Sequence, residues 1–212
     1  MRSKSDDLVL AGAAALLFAL LFIFRGAGRL DFWWWMSANV AFLVALSAAR
    51  DADFVRSVLD DLRGHAGRKI LFGALSAVVL YGVFFAGNGV SLRLLPFAGA
   101  GISRVYALKQ GTSMLRVVLL LALLIGPGEE LFWRGFLQRR WQLRFGRVRG
   151  FLLAAALYAL VHAANGNLML VLAAAVCGLF WGYLYLRTNS VLLVAVSHTL
   201  WDLMVFVLFP LS

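Results

Sequence analysis

Apolar runs of helix length recur along this chain, at about 8–24, 32–49, 70–86, 114–138, 150–164, 168–186 and 191–211. A bilayer core about 30 Å thick takes roughly 20 helical residues. Inside hydrocarbon every backbone N–H and C=O must be bonded within the protein, so a spanning segment is a helix or part of a closed barrel. The runs are longer than the ~10-residue alternating strands of a barrel, and only three prolines interrupt the chain. The expected fold is therefore all-α: a polytopic integral membrane helical bundle with about seven transmembrane helices, forming a single membrane domain over 1–212. Composition agrees. The chain is 63% hydrophobic and 14% charged, where soluble domains are about half apolar and about a quarter charged.

A net charge of +10 raises nucleic acid as a partner. The position of the charges points elsewhere, because the basic residues cluster between the apolar runs, as a positive-inside bias requires. One set of segments holds Arg2, Lys4, Arg50, Arg56, Arg63, Arg68, Lys69, the five arginines 139, 140, 144, 147 and 149, and Arg187, thirteen in all. The alternate set holds six: Arg25, Arg29, Arg93, Arg104, Lys109 and Arg116. The expectation is a cytoplasmic N-terminus in a bacterial inner (plasma) membrane, with the bilayer and no nucleic acid as partner. The first run lacks a small-residue cleavage site before Arg25 and reads as a retained span. Gly26-Ala27-Gly28 makes a short loop, and Phe32 to Trp35 read as an aromatic belt that anchors the interface. Arg50 to Lys69 carries Val55, Val58, Leu59 and Leu62 at helical spacing, an interfacial amphipathic helix. His65 there reads as a solvated surface residue. Positions 87–116 read as a loop with a short interfacial or re-entrant helix. Cys177, the single cysteine, reads as a packing residue.

Against this background Gly126-Pro127-Gly128-Glu129-Glu130-Leu131-Phe132-Trp133-Arg134 is anomalous. It holds the only two glutamates in the chain, and with Arg134 it places three charges inside the fourth span. A charge near a bilayer centre costs a few kcal/mol on insertion scales, so an intramembrane acid points to function. Pro127 frees a backbone carbonyl and invites a kink or local unwinding.

Three further polar groups lie deep in spans. At ~1.5 Å per helical residue, Glu129 sits ~15 Å from the basic edge at Arg139, His162 ~18 Å from Gly150, and His198 and Asp202 ~12 and ~18 Å from Ser190. Three helices thus bring four groups to one layer. Tyr158 and His162, His198 and Asp202, and Glu130 and Arg134 are each four apart and share a helix face. A buried carboxylate beside an imidazole is a general-base system for hydrolysis, and a second imidazole with Asp202 can stabilise an oxyanion or hold a substrate. Alternatively Glu129, His162, His198 and Asp202 supply ligands for a divalent metal such as zinc. Glu130 and Arg134 read as a buried ion pair, with Tyr158 packing against or orienting His162 and Ser197 packing its helix. The same groups also suit a proton-coupled transporter or a non-catalytic immunity or scaffold protein. No HExxH motif of membrane zinc proteases is present.

Glu129-Glu130-x-x-x-Arg134, Tyr158-x-x-x-His162 and His198-x-x-x-Asp202 resemble, in order, the three motifs of the CPBP family: the type II CAAX prenyl endopeptidases and the bacteriocin-processing and immunity membrane proteins. The resemblance covers about 115–212, a catalytic core, while 1–110 form N-terminal spans without motifs. It implies an intramembrane endopeptidase acting on a membrane-associated protein or peptide, by tail or leader removal, with its site open to the cytoplasm. By motif, Glu129 is the water-activating base, His162 its partner, and His198 with Asp202 the oxyanion-stabilising pair; no cofactor is required in the glutamate-type mechanism, and a divalent metal is the alternative. The chain departs from the family at Tyr158, commonly phenylalanine, and at Asp202, often asparagine. An asparagine donates to an oxyanion and an ionised aspartate cannot, so Asp202 is expected to be protonated, to orient His198 or to bind a metal.

Overall fold

The computed structural model describes residues 6–27 and 30–211; Arg2, Lys4, Gly28 and Arg29 lie outside the described residues. The chain starts with α1 (Asp6–Phe24), α2 (Phe32–Arg50), α3 (Ala52–Arg63), α4 (Ala66–Leu94) and α5 (Ala98–Tyr106). A rod follows, built from α6 (Met114–Leu120), α7 (Gly126–Glu130) and α8 (Arg139–Phe145) and joined by π-helical stretches. The chain ends with α9 (Arg147–His162), α10 (Leu168–Thr188) and α11 (Val191–Leu203). The only extended pairing among the described residues is a two-residue antiparallel ladder of Gly26–Ala27 with Leu30–Asp31. Among the described residues six helices are long and apolar enough to cross a membrane, and the rod, counted with the segment before it as one bent span, makes seven. The protein is an all-α polytopic membrane bundle.

Local chemistry sets the helix ends. Asp31 accepts from the N–H groups of Trp33 and Trp34 and caps α2, while Asp51 caps α3 through Asp53 and Phe54. Asn167 and Ser190 do the same for α10 and α11. Each supplies an acceptor for N–H groups that the first helical turn leaves unpaired. Gly150 lets α9 fold tightly back on α8, since a Cβ there would stand 2.3 Å from the Gln142 nitrogen.

Two expectations are revised and one is met. The third span does not stop near Ala86: α4 runs on through Gly87 and Gly89 to Leu94, over 29 residues, and ends where Leu95, the residue before Pro96, is pushed to an extended conformation. α5 is nine residues long, too short to cross at ~1.5 Å per residue, and turns by 95° into the rod. This is the short helix expected within 87–116, bent against the rod as in a broken span or a re-entrant loop. The second revision is that the Phe32–Trp35 cluster is not plain interfacial anchoring throughout. Trp34 is 44% exposed, but Trp33 is 3% exposed and its indole donates to the Leu108 carbonyl at 3.0 Å. α3 is amphipathic as expected, burying Phe54 edge-on against Phe136. His65 is exposed.

The helices end in two chemically different faces. At one, Arg144 bonds both oxygens of Asp7 at 3.0 and 3.1 Å, Arg140 approaches Asp51 at 3.5 Å, and Lys69 pairs with Asp61 at 2.7 Å. Asp61 also accepts from the Leu192 N–H at 2.8 Å, tying α3 to the start of α11. At the other, Tyr106 donates to the Val205 carbonyl at 3.0 Å, Lys109 to Phe206 at 2.8 Å, Asn88 to Leu211 at 2.8 Å and Asn167 to Gly101 at 2.8 Å. Arg116 and Asp31 form an ion pair at that face.

Candidate active site

The rod places the acids. Proline lacks the N–H a helix needs, yet the helix does not unwind at Pro127. The preceding turn widens into a π-helix over Leu121–Ile125, so that the Gly126 N–H reaches back to the Leu121 carbonyl, and a second π stretch covers Leu131–Gln138. Such insertions absorb the mismatch that proline introduces. Gly126 lets α11 approach: a Cβ there would lie 2.5 Å from the Thr199 hydroxyl. Glu129, Glu130 and Arg134 are consequently all buried.

Glu130 is the junction of the first and third motifs. Its Oε1 accepts from Arg134 Nη1 at 2.7 Å and pairs with His198 Nδ1 at 2.8 Å. The ion pair with Arg134 matches expectation; the bond to His198, across 68 positions of sequence, was not legible from spacing. Arg134 also lies over the Tyr158 ring at 4.7 Å and the Trp181 ring at 5.6 Å, the desolvated cation–π geometry that stabilises a buried guanidinium. Trp181 is itself an addition. Its ring stacks on His198 at 3.8 Å, and its indole donates to Ser197 Oγ at 3.2 Å. Ser197 in turn contacts Ser76 Oγ at 2.9 Å, so it links α4, α10 and α11 instead of merely packing one helix. Neither the tryptophan nor the serine falls in a motif.

His198 is held on both nitrogens, by Glu130 and, at 3.4 Å from Nε2, by Asp202 Oδ2. His162 Nδ1 lies 2.7 Å from the Tyr158 backbone carbonyl. A carbonyl only accepts, so Nδ1 carries the proton and, in the neutral ring, Nε2 is the acceptor. Phe22 packs on this ring at 4.9 Å. Glu129 Oε2 is buried with no hydrogen-bond partner. Glu129, Tyr158, His162, Cys177, His198 and Asp202 all border one cavity of about 330 Å³.

Of the four groups named for a divalent metal, Glu129, His162, His198 and Asp202, His198 faces carboxylates with both nitrogens, while His162 has Nδ1 on the backbone and Nε2 left for a ligand, as in a metal-bound imidazole. Among the described residues no three His, Cys, Asp or Glu converge as a ligand set.

No curated protein and no solved structure gives a significant match. Residues 111–204 do match a family model, Rce1-like, described as type II CAAX prenyl endopeptidase Rce1-like. The matched stretch contains all three motifs and every charged or imidazole group of the site. Residues 111–204 thus align the chain with the Rce1-like, CAAX-type intramembrane proteases, consistent with the CPBP resemblance of its motifs.

Proposed function

We propose that the protein hydrolyses a peptide bond in a membrane-associated protein or peptide, using a water activated by Glu129 and His162, in a bacterial inner membrane. Residues 115–212 act as the catalytic core and the earlier spans as its wall. The observation that carries this reading is the Glu129 carboxylate: buried, with one oxygen unpartnered, at a cavity that His162 and His198 also border. Glu129 takes a proton from water as the oxygen attacks the scissile carbonyl carbon. His162, its free nitrogen set by the Tyr158 carbonyl, orients that water. The oxyanion that forms is met by the proton bridging His198 Nε2 and Asp202, which positions the ring in place of the usual asparagine. Glu129 then returns its proton to the leaving nitrogen, the C–N bond breaks, and a carboxyl and an amine result. General-base and oxyanion contributions of this kind are each worth about 10²–10⁴-fold.

Glu130, itself held by Arg134, serves as the fixed counter-charge that holds His198. The cavity's residues come from one half of the bundle, which supports a reaction site over a transporter's path through the membrane. The test is cleavage by purified protein in lipid discs: Glu129→Ala and His162→Ala are expected to abolish it with the fold intact. Full cleavage by either variant overturns the reading.

A further inference from the structure

The cavity has a side. Beyond the acids and imidazoles its wall runs through Phe22 and Trp33, through Asn88 and Ser91 near the end of α4, through Tyr106 of α5, and out to Leu211. All belong to the face where Arg25 reaches Asn165 and Asn88 reaches Leu211. No lining residue comes from 37–80, 132–157 or 182–197, the parts that form the opposite face. Glu129, Trp181 and His198 are therefore the floor, and the mouth lies at the end of the bundle marked by α5.

The charges also have a side. Among the described residues, eleven lysines and arginines belong to the closed face: five from Arg50 to Lys69, five from Arg139 to Arg149, and Arg187. Five belong to the mouth: Arg25, Arg93, Arg104, Lys109 and Arg116. Short loops rich in lysine and arginine stay cytoplasmic, and acidic residues weigh little in that rule. The cytoplasmic N-terminus expected from the charges and the cytoplasmic opening expected from the family resemblance cannot both hold in this fold.

We infer that the mouth opens on the non-cytoplasmic side, and that the substrate is an exported polypeptide whose apolar tail enters from the outer leaflet. This rests on the proteolytic reading above and adds the side and the substrate class to it. The wall suits such a tail: Phe22, Phe32, Phe84, Leu108 and Phe206 supply apolar surface, and Asn88 and Ser91 supply side-chain amide and hydroxyl groups near the rim. A chain threaded past α5 reaches Glu129 with its polar part still outside. The 11:5 distribution among the described residues gives the closed face about twice the anchoring charge of the mouth.

Two readouts in one strain test this. In a Cys177→Ser background, a single cysteine is placed at Gln110, exposed at the mouth, or at Val148, exposed on the closed face. Spheroplasts are treated with a membrane-impermeant maleimide before and after lysis. Parallel spheroplasts of that strain, carrying the wild-type protein with Cys177 intact or its Glu129→Gln variant, receive a fluorogenic peptide with an apolar tail and a bulky charged head that cannot cross the membrane. Expected is labelling of Gln110→Cys from outside and of Val148→Cys only after lysis, with peptide cleaved by intact wild-type spheroplasts alone. Labelling of Gln110→Cys only after lysis, or cleavage that begins only on lysis, overturns the inference. External labelling with no Glu129-dependent cleavage before or after lysis leaves the orientation standing and overturns the proteolysis on which the substrate class rests.

Discussion

The two faces of this bundle are held together by opposite means. The closed face is tied by ions: Arg144 to Asp7, Arg140 to Asp51, Lys69 to Asp61. The mouth is tied largely by neutral or single-charge donors to backbone carbonyls, from Trp33, Tyr106, Asn88 and Lys109. Charged ties close a surface and fix its side of the membrane. Bonds to main chain position α5 without filling the apolar space beneath it. Between the faces lies a cluster buried on every member, Glu130–Arg134–His198. Ion pairs near water contribute little individually, whereas breaking a buried pair by removing one partner costs about 3–5 kcal/mol. Sensitivity to mutation should therefore peak in the middle and fall toward both faces.

The largest effects separate the two adjacent glutamates. Glu129→Gln is expected to reduce cleavage by about 10²–10⁴-fold while the thermal midpoint of the purified protein stays near wild type. Glu130→Gln is expected to lose cleavage and also about 3–5 kcal/mol of stability, because Arg134 and His198 lose their shared counter-charge. Equal stability of the two variants would break the contrast between a chemical and a structural acid. Next comes Trp181. Trp181→Phe keeps the ring over His198 and loses only the bond to Ser197, about 1 kcal/mol. Trp181→Leu also removes the stack, and its excess loss in kcat over Trp181→Phe reads how far the ring positions His198. Gly126→Ala forces a methyl toward Thr199 and should cost about 1–3 kcal/mol, read as a lowered thermal midpoint. The smallest effect belongs to the closed face. Arg144→Ala, at a pair whose arginine side chain is 37% exposed, should change stability by about 0–1 kcal/mol and leave cleavage unchanged.

Much of this was legible in the sequence. Long apolar runs dictate helices because hydrocarbon forbids unpaired backbone, and a rise of ~1.5 Å per residue puts Glu129, His162, His198 and Asp202 at one depth. Pairs four apart, Glu130 with Arg134 and His198 with Asp202, followed from helical periodicity. Depth carries no azimuth, however. Nothing in the spacing shows that His198 turns to Glu130, that Trp181 lies on its ring, or that Phe22 packs on His162; those contacts depend on how helices rotate against one another. The π stretches around Pro127 were hidden for a similar reason, since a proline signals a disturbed helix without saying whether the turn breaks or widens. The direction of the mouth was likewise beyond any single motif. It needed the order of helix ends together with the charge of the loops.

The central claim is that a buried glutamate activates water for peptide hydrolysis. Its most direct test compares protein termini in membranes from cells expressing wild type or Glu129→Gln at equal level. The account predicts a small set of new termini, within or beside apolar tails, present only with the wild type. Identical termini in the two membranes, with both proteins inserted and folded, would contradict it.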